Sequence, residues 1–109
     1  MSERTDDILG MLKALSNGPR LQIMEWLSDP EVSFAGLKEH TCGGIPGWGG
    51  ACVGTVWEKS GLSQSTVSSY LKSMQQAGLL ESRRHEKWTY YRVSEEAVKR
   101  LRDYIGSWV

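Results

Sequence analysis

Two cysteines and a histidine lie close together in the middle of the chain. Cys42 and Cys52 enclose nine residues, five of them glycine and one proline, and His40 precedes Cys42 by two positions. A glycine-rich segment can bring two Cα atoms within the ~4.4 to 6.8 Å that a disulfide requires, so the two thiols could bond on oxidation. With His40 they could instead bind a thiophilic metal or metalloid ion. In the third interpretation Cys52 packs as a small hydrophobic residue and Cys42 has no role.

A second group of polar side chains has the spacing of a helix. The sequence predicts that this helix begins after the N-cap type residue Ser63, ends at Gly78, and buries a stripe formed by Val67, Leu71 and Met74. Its start and its opposite face carry short polar groups, one cation and no carboxylate: Ser63, Gln64, Ser65, Thr66, Ser68, Ser69 and Lys72. Serine and threonine are poor residues for the middle of a helix, so their clustering needs an explanation: the face either contacts nucleic acid or is an ordinary solvated surface.

A basic hairpin is predicted directly after this helix. The run WTYYRV at residues 88–93 is aromatic and β-branched, and with residues 81–84 it predicts two paired strands joined by a turn at residues 85–87. Arg83, Arg84 and Lys87 are the cations expected to contact phosphates, which would leave the helix to contact base edges. Residues 63–92 hold five basic and two acidic residues although the whole chain carries no net charge, so the basic groups are concentrated in this half.

The remaining elements complete a single domain over residues 1–109, mainly α with a small β-hairpin. Terminal helices are predicted over about residues 5–16 and 94–108, an inserted loop over 31–54, a helix-turn-helix over 55–78 with Val56 and Trp57 inward, and a wing over 79–93. The last helix is expected to bury a stripe wider than a lone terminal helix needs, which predicts a homodimer formed by the terminal helices. This stripe consists of Ala97, Val98, Leu101, Tyr104, Ile105 and Trp108.

Several classes of protein are not expected from this sequence. No stretch approaches the ~18 consecutive apolar residues of a membrane span, and the first twenty residues lack the pattern of a signal peptide, so we expect a cytoplasmic protein. The two histidines, His40 and His85, and the lack of an acidic pair in a pocket-like setting provide no base and nucleophile for catalysis, so we do not expect an enzyme.

The chain resembles the ArsR/SmtB (arsenic-repressor-like) winged helix-turn-helix regulators over about half its length. The matching stretches are KALSNGPRLQIMEWL (residues 13–27), CVGTVWEKSGLSQSTVSSYLKSMQQAGLLESRR (52–84) and KWTYYRV (87–93). The resemblance implies a homodimer on double-stranded DNA, with the helix after Ser63 in a major groove and the wing over the phosphates of a near-palindromic operator. It also implies a repressor that is released when an oxidant, a metal or a metalloid binds.

The family's sensor sites match this chain poorly. Members with a thiol pair have Cys-Val-Cys where this chain has Cys52-Val53-Gly54, and members with a metal site on the last helix use histidines that residues 95–109 lack. Residues 31–51 are an insertion relative to the family pattern.

From the resemblance and the two cysteines together, we expect a DNA-binding repressor released by a thiol-directed signal at Cys42 and Cys52. The alternatives are a winged-helix module that binds proteins without DNA readout and a regulator whose cysteines are not the sensor.

Overall fold

The computed structural model describes residues 2–37 and 43–109. Within these ranges the chain forms six helices and three strands, which agrees with the predicted mainly α architecture. In chain order they are α1 (Glu3–Leu15), α2 (Gly18–Ser28), α3 (Pro30–Ser33), β1 (Ala51–Cys52), α4 (Val53–Ser60), α5 (Gln64–Gln76), β2 (Leu80–His85), β3 (Trp88–Val93) and α6 (Glu95–Gly106). The helix pair α4 and α5 followed by the hairpin of β2 and β3 is the arrangement of a winged helix-turn-helix.

Side-chain caps begin four of the helices. Ser2, Asn17, Ser63 and Ser94 each accept a hydrogen bond from the backbone N–H three residues further along the chain. A cap of this kind stabilises a helix by about 1 kcal/mol because it satisfies an N–H that has no partner inside the helix. The predicted caps at Ser63 and Ser94 are confirmed.

Gly78 ends α5 as predicted. Its φ of 87° is a left-handed conformation that suits glycine, and its N–H donates to the Gln75 carbonyl at 2.9 Å. The next N–H, that of Leu79, donates to the Met74 carbonyl at 3.0 Å. These two bonds form a Schellman motif, so the chain leaves α5 in a fixed direction, and β2 begins two residues after Gly78.

The main core lies between helices α1, α2, α4, α5 and α6 and one face of the sheet. Val67, Leu71 and Met74 are fully buried in it, which confirms the predicted stripe of α5. Burial raises the pKa of the Tyr91 hydroxyl, which lies at the sheet side of this core. The core's buried members are Met11, Ala14, Ile23, Leu27, Ala51, Val56, Val67, Leu71, Met74, Leu79, Leu80, Tyr91 and Ala97.

The sheet has three strands instead of the two that the sequence predicts. Its order is β1-β3-β2, both pairs are antiparallel, and β1 adds two residues beside Tyr90 and Tyr91. Because neighbours alternate across a sheet, each residue can be assigned to one of two faces. The inner face, toward the main core, carries Leu80, Ser82, Arg84, Thr89, Tyr91 and Val93; the outer face carries Glu81, Arg83, His85, Trp88, Tyr90 and Arg92.

The glycine-rich insert, residues 43–50, covers part of the outer face. It turns back on itself through two hydrogen bonds between the backbones of Ile45 and Gly49, of 2.9 and 2.7 Å. Ile45 is buried in a small cluster with Cys52 and Tyr90, and Trp48 packs against its edge. The prediction that residues 31–54 form a loop is therefore wrong at its two ends, where α3, β1 and the first residues of α4 lie. Regular periodicity is absent from short elements like these, so the sequence pattern could not reveal them.

Several apolar side chains predicted to be buried are exposed in the single chain. On α6 only Ala97 is buried, whereas Val98 and Ile105 are exposed and Trp108 is 67% exposed. On α4, Val56 is fully buried as predicted but Trp57 is 37% exposed, because a two-turn helix gives only a narrow stripe access to the core. Among the described residues, no helix is both long and apolar enough to cross a membrane.

Candidate nucleic-acid interface

The polar face of α5 is open to solvent. Gln64, Ser65, Ser69 and Lys72 are exposed, and Ser68 is half-buried beside them. The centre of this face is a shallow depression lined by Ser65, Ser68, Ser69, Lys72, Ser73 and Gln76. The sequence of α5 contains no acidic residue, so the depression combines hydroxyl and amide groups with a single positive charge. These groups can donate to phosphate oxygens and to base edges.

Two of the predicted contact residues also build the start of α5. The Ser63 hydroxyl accepts from the Thr66 N–H at 3.2 Å and lies 2.7 Å from the Thr66 hydroxyl. The Ser65 hydroxyl lies 3.3 Å from the Ser63 hydroxyl. Ser63 and Thr66 therefore satisfy the helix N-terminus, while Gln64, Ser65 and Ser69 present their polar atoms to solvent.

The turn before α5 is held by two hydrogen bonds. Gly61 has a φ of 71°, which suits glycine, and the Leu62 N–H donates to the Ser60 hydroxyl at 3.1 Å. The Ser60 hydroxyl in turn donates to the Trp57 carbonyl at 2.9 Å. α4 thus holds the first N–H groups of α5 in one orientation. These groups form the positive end of the helix dipole, and a helix N-terminus of this kind attracts anions.

The wing's basic residues lie on different faces. Arg83 pairs across the strands with Tyr90 on the outer face, and Arg84 pairs with Thr89 on the inner face. Both arginines are exposed. The sequence analysis assigned them the same role, but their side chains leave the hairpin in opposite directions, so they face different sides of the wing.

The wing turn is tight and has two residues instead of the three predicted at 85–87. Only Glu86 and Lys87 lie between the two strands, and His85 pairs directly with Trp88. Glu86 has a φ of 56°, a left-handed conformation that a two-residue hairpin turn demands and that glycine usually supplies. Lys87 is at the tip, with its ammonium 5.7 Å from the centre of the Trp88 ring.

Trp48 of the insert is an aromatic residue of this region that sequence analysis did not single out. Its ring centre is 4.3 Å from the guanidinium carbon of Arg92 and 5.4 Å from that of Arg83. Arg92 also donates to the Trp48 carbonyl at 3.1 Å and to Glu81 at 3.1 Å. Ile45 and Trp48, two large apolar residues inside a glycine-rich run, were the signal in the sequence that this segment packs against something.

Of the predicted thiol and metal residues, the structure places Cys52 alone; Cys42 and His40 lie outside the described residues. Cys52 is 1% exposed, and its sulfur is 3.1 Å from the Thr55 hydroxyl. It sits at the last position before α4, beneath the insert and beside Tyr90. Within residues 2–37 and 43–109, no three His, Cys, Asp or Glu side chains come together as ligands for a metal ion.

Comparisons with known proteins agree with this architecture. No family model matches the chain. It is 40% identical over 98 residues to the uncharacterized HTH-type transcriptional regulator YbzH of Bacillus subtilis, and the match covers 87% of this chain and 91% of YbzH. HlyU, a transcriptional activator of Vibrio cholerae, is 28% identical over 101 residues, which cover 93% of this chain and 76% of HlyU.

A solved structure supplies the same assignment from the fold. The solution structure of Mb0332 from Mycobacterium bovis is described as a homodimeric winged helix-turn-helix DNA-binding domain and a possible ArsR-family regulator. It is 28% identical to this chain with a TM-score of 0.66, and the match covers 98% of this chain and 85% of that one. Fold, element order and sequence identity thus agree: the chain belongs to the ArsR/SmtB-like family of winged helix-turn-helix transcriptional regulators.

Proposed function

We propose that this protein binds double-stranded DNA sequence-specifically as a repressor, with α5 in the major groove. The observation that carries this proposal is the exposed, carboxylate-free face of α5 beside a basic wing. Gln64, Ser65 and Ser69 lie in its first two turns, which are the part of a recognition helix that reaches base edges. Lys72 and the wing cations Arg83, Arg84 and Lys87 would contact phosphates. We assign the chain no catalytic activity.

The proposed DNA-bound form is a homodimer joined by the terminal helices. Val98, Ile105 and Trp108 give α6 an exposed apolar face that a second copy can cover. Asp7 of α1 and Arg100 of α6 form an ion pair at 3.0 Å, and the Arg4 guanidinium lies 5.2 Å from the Tyr104 ring centre, so the two helices present one surface. A two-fold dimer would set its α5 helices about 34 Å apart to contact a near-palindromic operator.

Ile105→Glu tests the dimer. Because Ile105 is exposed in the single chain, the change should leave the monomer folded while placing a charge in the proposed interface. Sedimentation should show monomers, and operator affinity should fall at least about 100-fold, since one half-site alone would be bound. Glu96→Gln, an exposed change near the start of the same helix, is the control. A wild-type protein that is monomeric at micromolar concentration would contradict the interface.

The DNA contacts are tested with two glutamines of α5. Fluorescence anisotropy would measure binding of each variant to the promoter next to its own gene and to unrelated DNA of equal length. Gln64→Ala should reduce the difference in binding free energy between the two DNAs by about 1 to 3 kcal/mol, which is what a good bidentate base contact contributes to discrimination. Gln75→Ala should not, because Gln75 is also exposed but lies in the last turn of α5, about 16 Å further along the axis.

Two results would select other functions. Wild-type binding that ignores both DNA sequence and salt would favour the winged-helix module that binds proteins. A reporter driven by the bound promoter distinguishes activation from repression. If deleting the regulator's gene lowers its expression, the protein is an activator; if deletion raises it, the result supports the proposed repressor.

We further propose that a thiol-directed signal at Cys42 and Cys52, an oxidant or a thiophilic metal or metalloid, releases the DNA. Cys52 supports this because it joins the insert, β1 and the start of α4, so a bond formed at its sulfur must disturb the segment that holds α5. Cys42→Ser and Cys52→Ser should each abolish DNA release by mild oxidant or arsenite while reduced-state binding persists. If both variants respond as the wild type does, the cysteines are not the sensor.

A further inference from the structure

We infer that Trp48 is a positioning residue for the wing: its indole ring holds the guanidinium of Arg83 on the outer face, ready to contact a DNA phosphate. This inference rests on the proposed DNA-binding function. It assigns the insert a purpose, which is to fix a cation that the hairpin alone would leave free to rotate.

Trp48 contacts two arginines that are in different electrostatic situations. Arg92 donates to the carboxylate of Glu81 and to the Trp48 carbonyl, both at 3.1 Å, so its charge is paired and its position is fixed. Arg83 contacts the same indole ring at 5.4 Å, and within the described part of the chain no carboxylate lies in ion-pair range of it. Arg92 therefore anchors Trp48, and Trp48 orients Arg83.

This position over the indole ring leaves Arg83 able to bind an anion. A guanidinium over an aromatic face uses its π surface for that contact and keeps its N–H donors, which lie in its plane, available for a phosphate. The nearest acid on the same face, Glu81, is already paired with Arg92. An exposed arginine normally loses rotamer freedom when it binds, and holding the group beforehand reduces that loss.

The insert is built to place Trp48 at this point. Ile45 is buried under the outer face with Cys52 and Tyr90, which fixes one side of the turn. On the other side Gly50 approaches β3 so closely that an added Cβ would lie 2.7 Å from the Tyr91 carbonyl oxygen and 2.8 Å from the Trp48 ring. Only glycine permits this approach, so the backbone and not a flexible side chain determines where the indole lies.

A double-mutant cycle on operator DNA tests the inference. Trp48→Leu and Arg83→Ala should each weaken binding roughly three- to tenfold, and the double variant should bind no more weakly than Arg83→Ala alone, because Trp48 acts through Arg83. Arg84→Ala, on the opposite face, is the matched control: combined with Trp48→Leu, its effect should multiply. Trp48→Phe keeps an aromatic face and should retain most of the wild-type affinity.

Three results would overturn the inference. Equal weakening by Trp48→Leu with and without Arg83 would mean that Trp48 acts elsewhere. The NMR signal of the Arg83 Nε–H, measured without DNA, should move when Trp48→Leu removes the ring current, and an unmoved signal would contradict the stacking. If Trp48→Phe binds as weakly as Trp48→Leu, the aromatic face is not what matters. Loss of the Gln64→Ala effect on discrimination would instead mark a failure of the proposed function itself.

Discussion

The two faces of the wing sheet are held by different kinds of contact. On the inner face Leu80 and Tyr91 join a core shared with several helices. On the outer face Ile45 and Trp48 of a single turn cover Tyr90 and Cys52. Apolar burial stabilises in proportion to the area buried, and the core on the inner face is the larger of the two. The inner face should therefore separate from the helices only when the whole domain unfolds, whereas the insert can detach locally from the outer face. The wing therefore joins a stable side to a side that can respond, and Cys52 lies beneath the second.

The largest effect expected from this comparison is on the inner face. Leu80→Ala should lower the free energy of unfolding by about 3 kcal/mol, because it removes a buried side chain and leaves a cavity that the packed helices cannot fill. Urea denaturation at fixed protein concentration measures the change. Leu21→Ala provides the control, since Leu21 is exposed on α2 and should cost no more than about 0.5 kcal/mol. Equal costs for the two variants would contradict the claim that the inner face carries the stability.

The inner side of the molecule is also the part that sequence could predict. Ser63 and Ser94 as caps, Gly78 as a stop and the stripe of α5 follow from local chemistry and a period of 3.6 residues. These signals lie within one element, and each is repeated by its neighbours: a cap, a stripe and a terminating glycine all indicate the same helix.

The outer side could not be predicted because its contacts are non-local. The pairing of Ala51 with Tyr91 and the bond from Arg92 to the Trp48 carbonyl join residues about forty positions apart, across a glycine-rich run without period. The opposite directions of Arg83 and Arg84 were accessible from strand alternation alone. They were missed because both residues were counted only as positive charges.

A smaller effect is expected from opening the outer face. Gly50→Ala should displace the insert at a cost of about 1 to 3 kcal/mol, through its φ of 81° and the contact of the new Cβ with the Tyr91 carbonyl oxygen. In a Cys42→Ser background, the rate at which a thiol reagent modifies Cys52 should rise about tenfold or more, since 1.4 kcal/mol corresponds to a factor of ten.

The control for Gly50→Ala is Gly47→Ala. Gly47 has a similar φ of 77°, but an added Cβ there meets no atom within 4 Å, so the two variants share backbone strain and differ in the clash. The comparison between the faces is wrong if Cys52 reactivity rises equally in both. It is also wrong if Gly50→Ala lowers the free energy of unfolding as much as Leu80→Ala, because the outer face would then open only with the whole domain.

The smallest expected effect comes from the wing turn, which joins the strands without belonging to either covered region. Glu86 has a φ of 56°, which strains any residue except glycine, so Glu86→Gly should relieve that strain. Glycine also gives the unfolded chain more freedom, which offsets part of the gain. The net result should be a rise of roughly 0.5 kcal/mol in the free energy of unfolding. Lys87→Gly should lower it, because that change brings the freedom without relieving a left-handed residue. Denaturation of both variants measures the difference. The rate at which a thiol reagent modifies Cys52 should stay at its wild-type value in both variants, since neither change touches the insert. A changed rate would mean that the hairpin tip and the outer face open together, and that the wing moves as one unit.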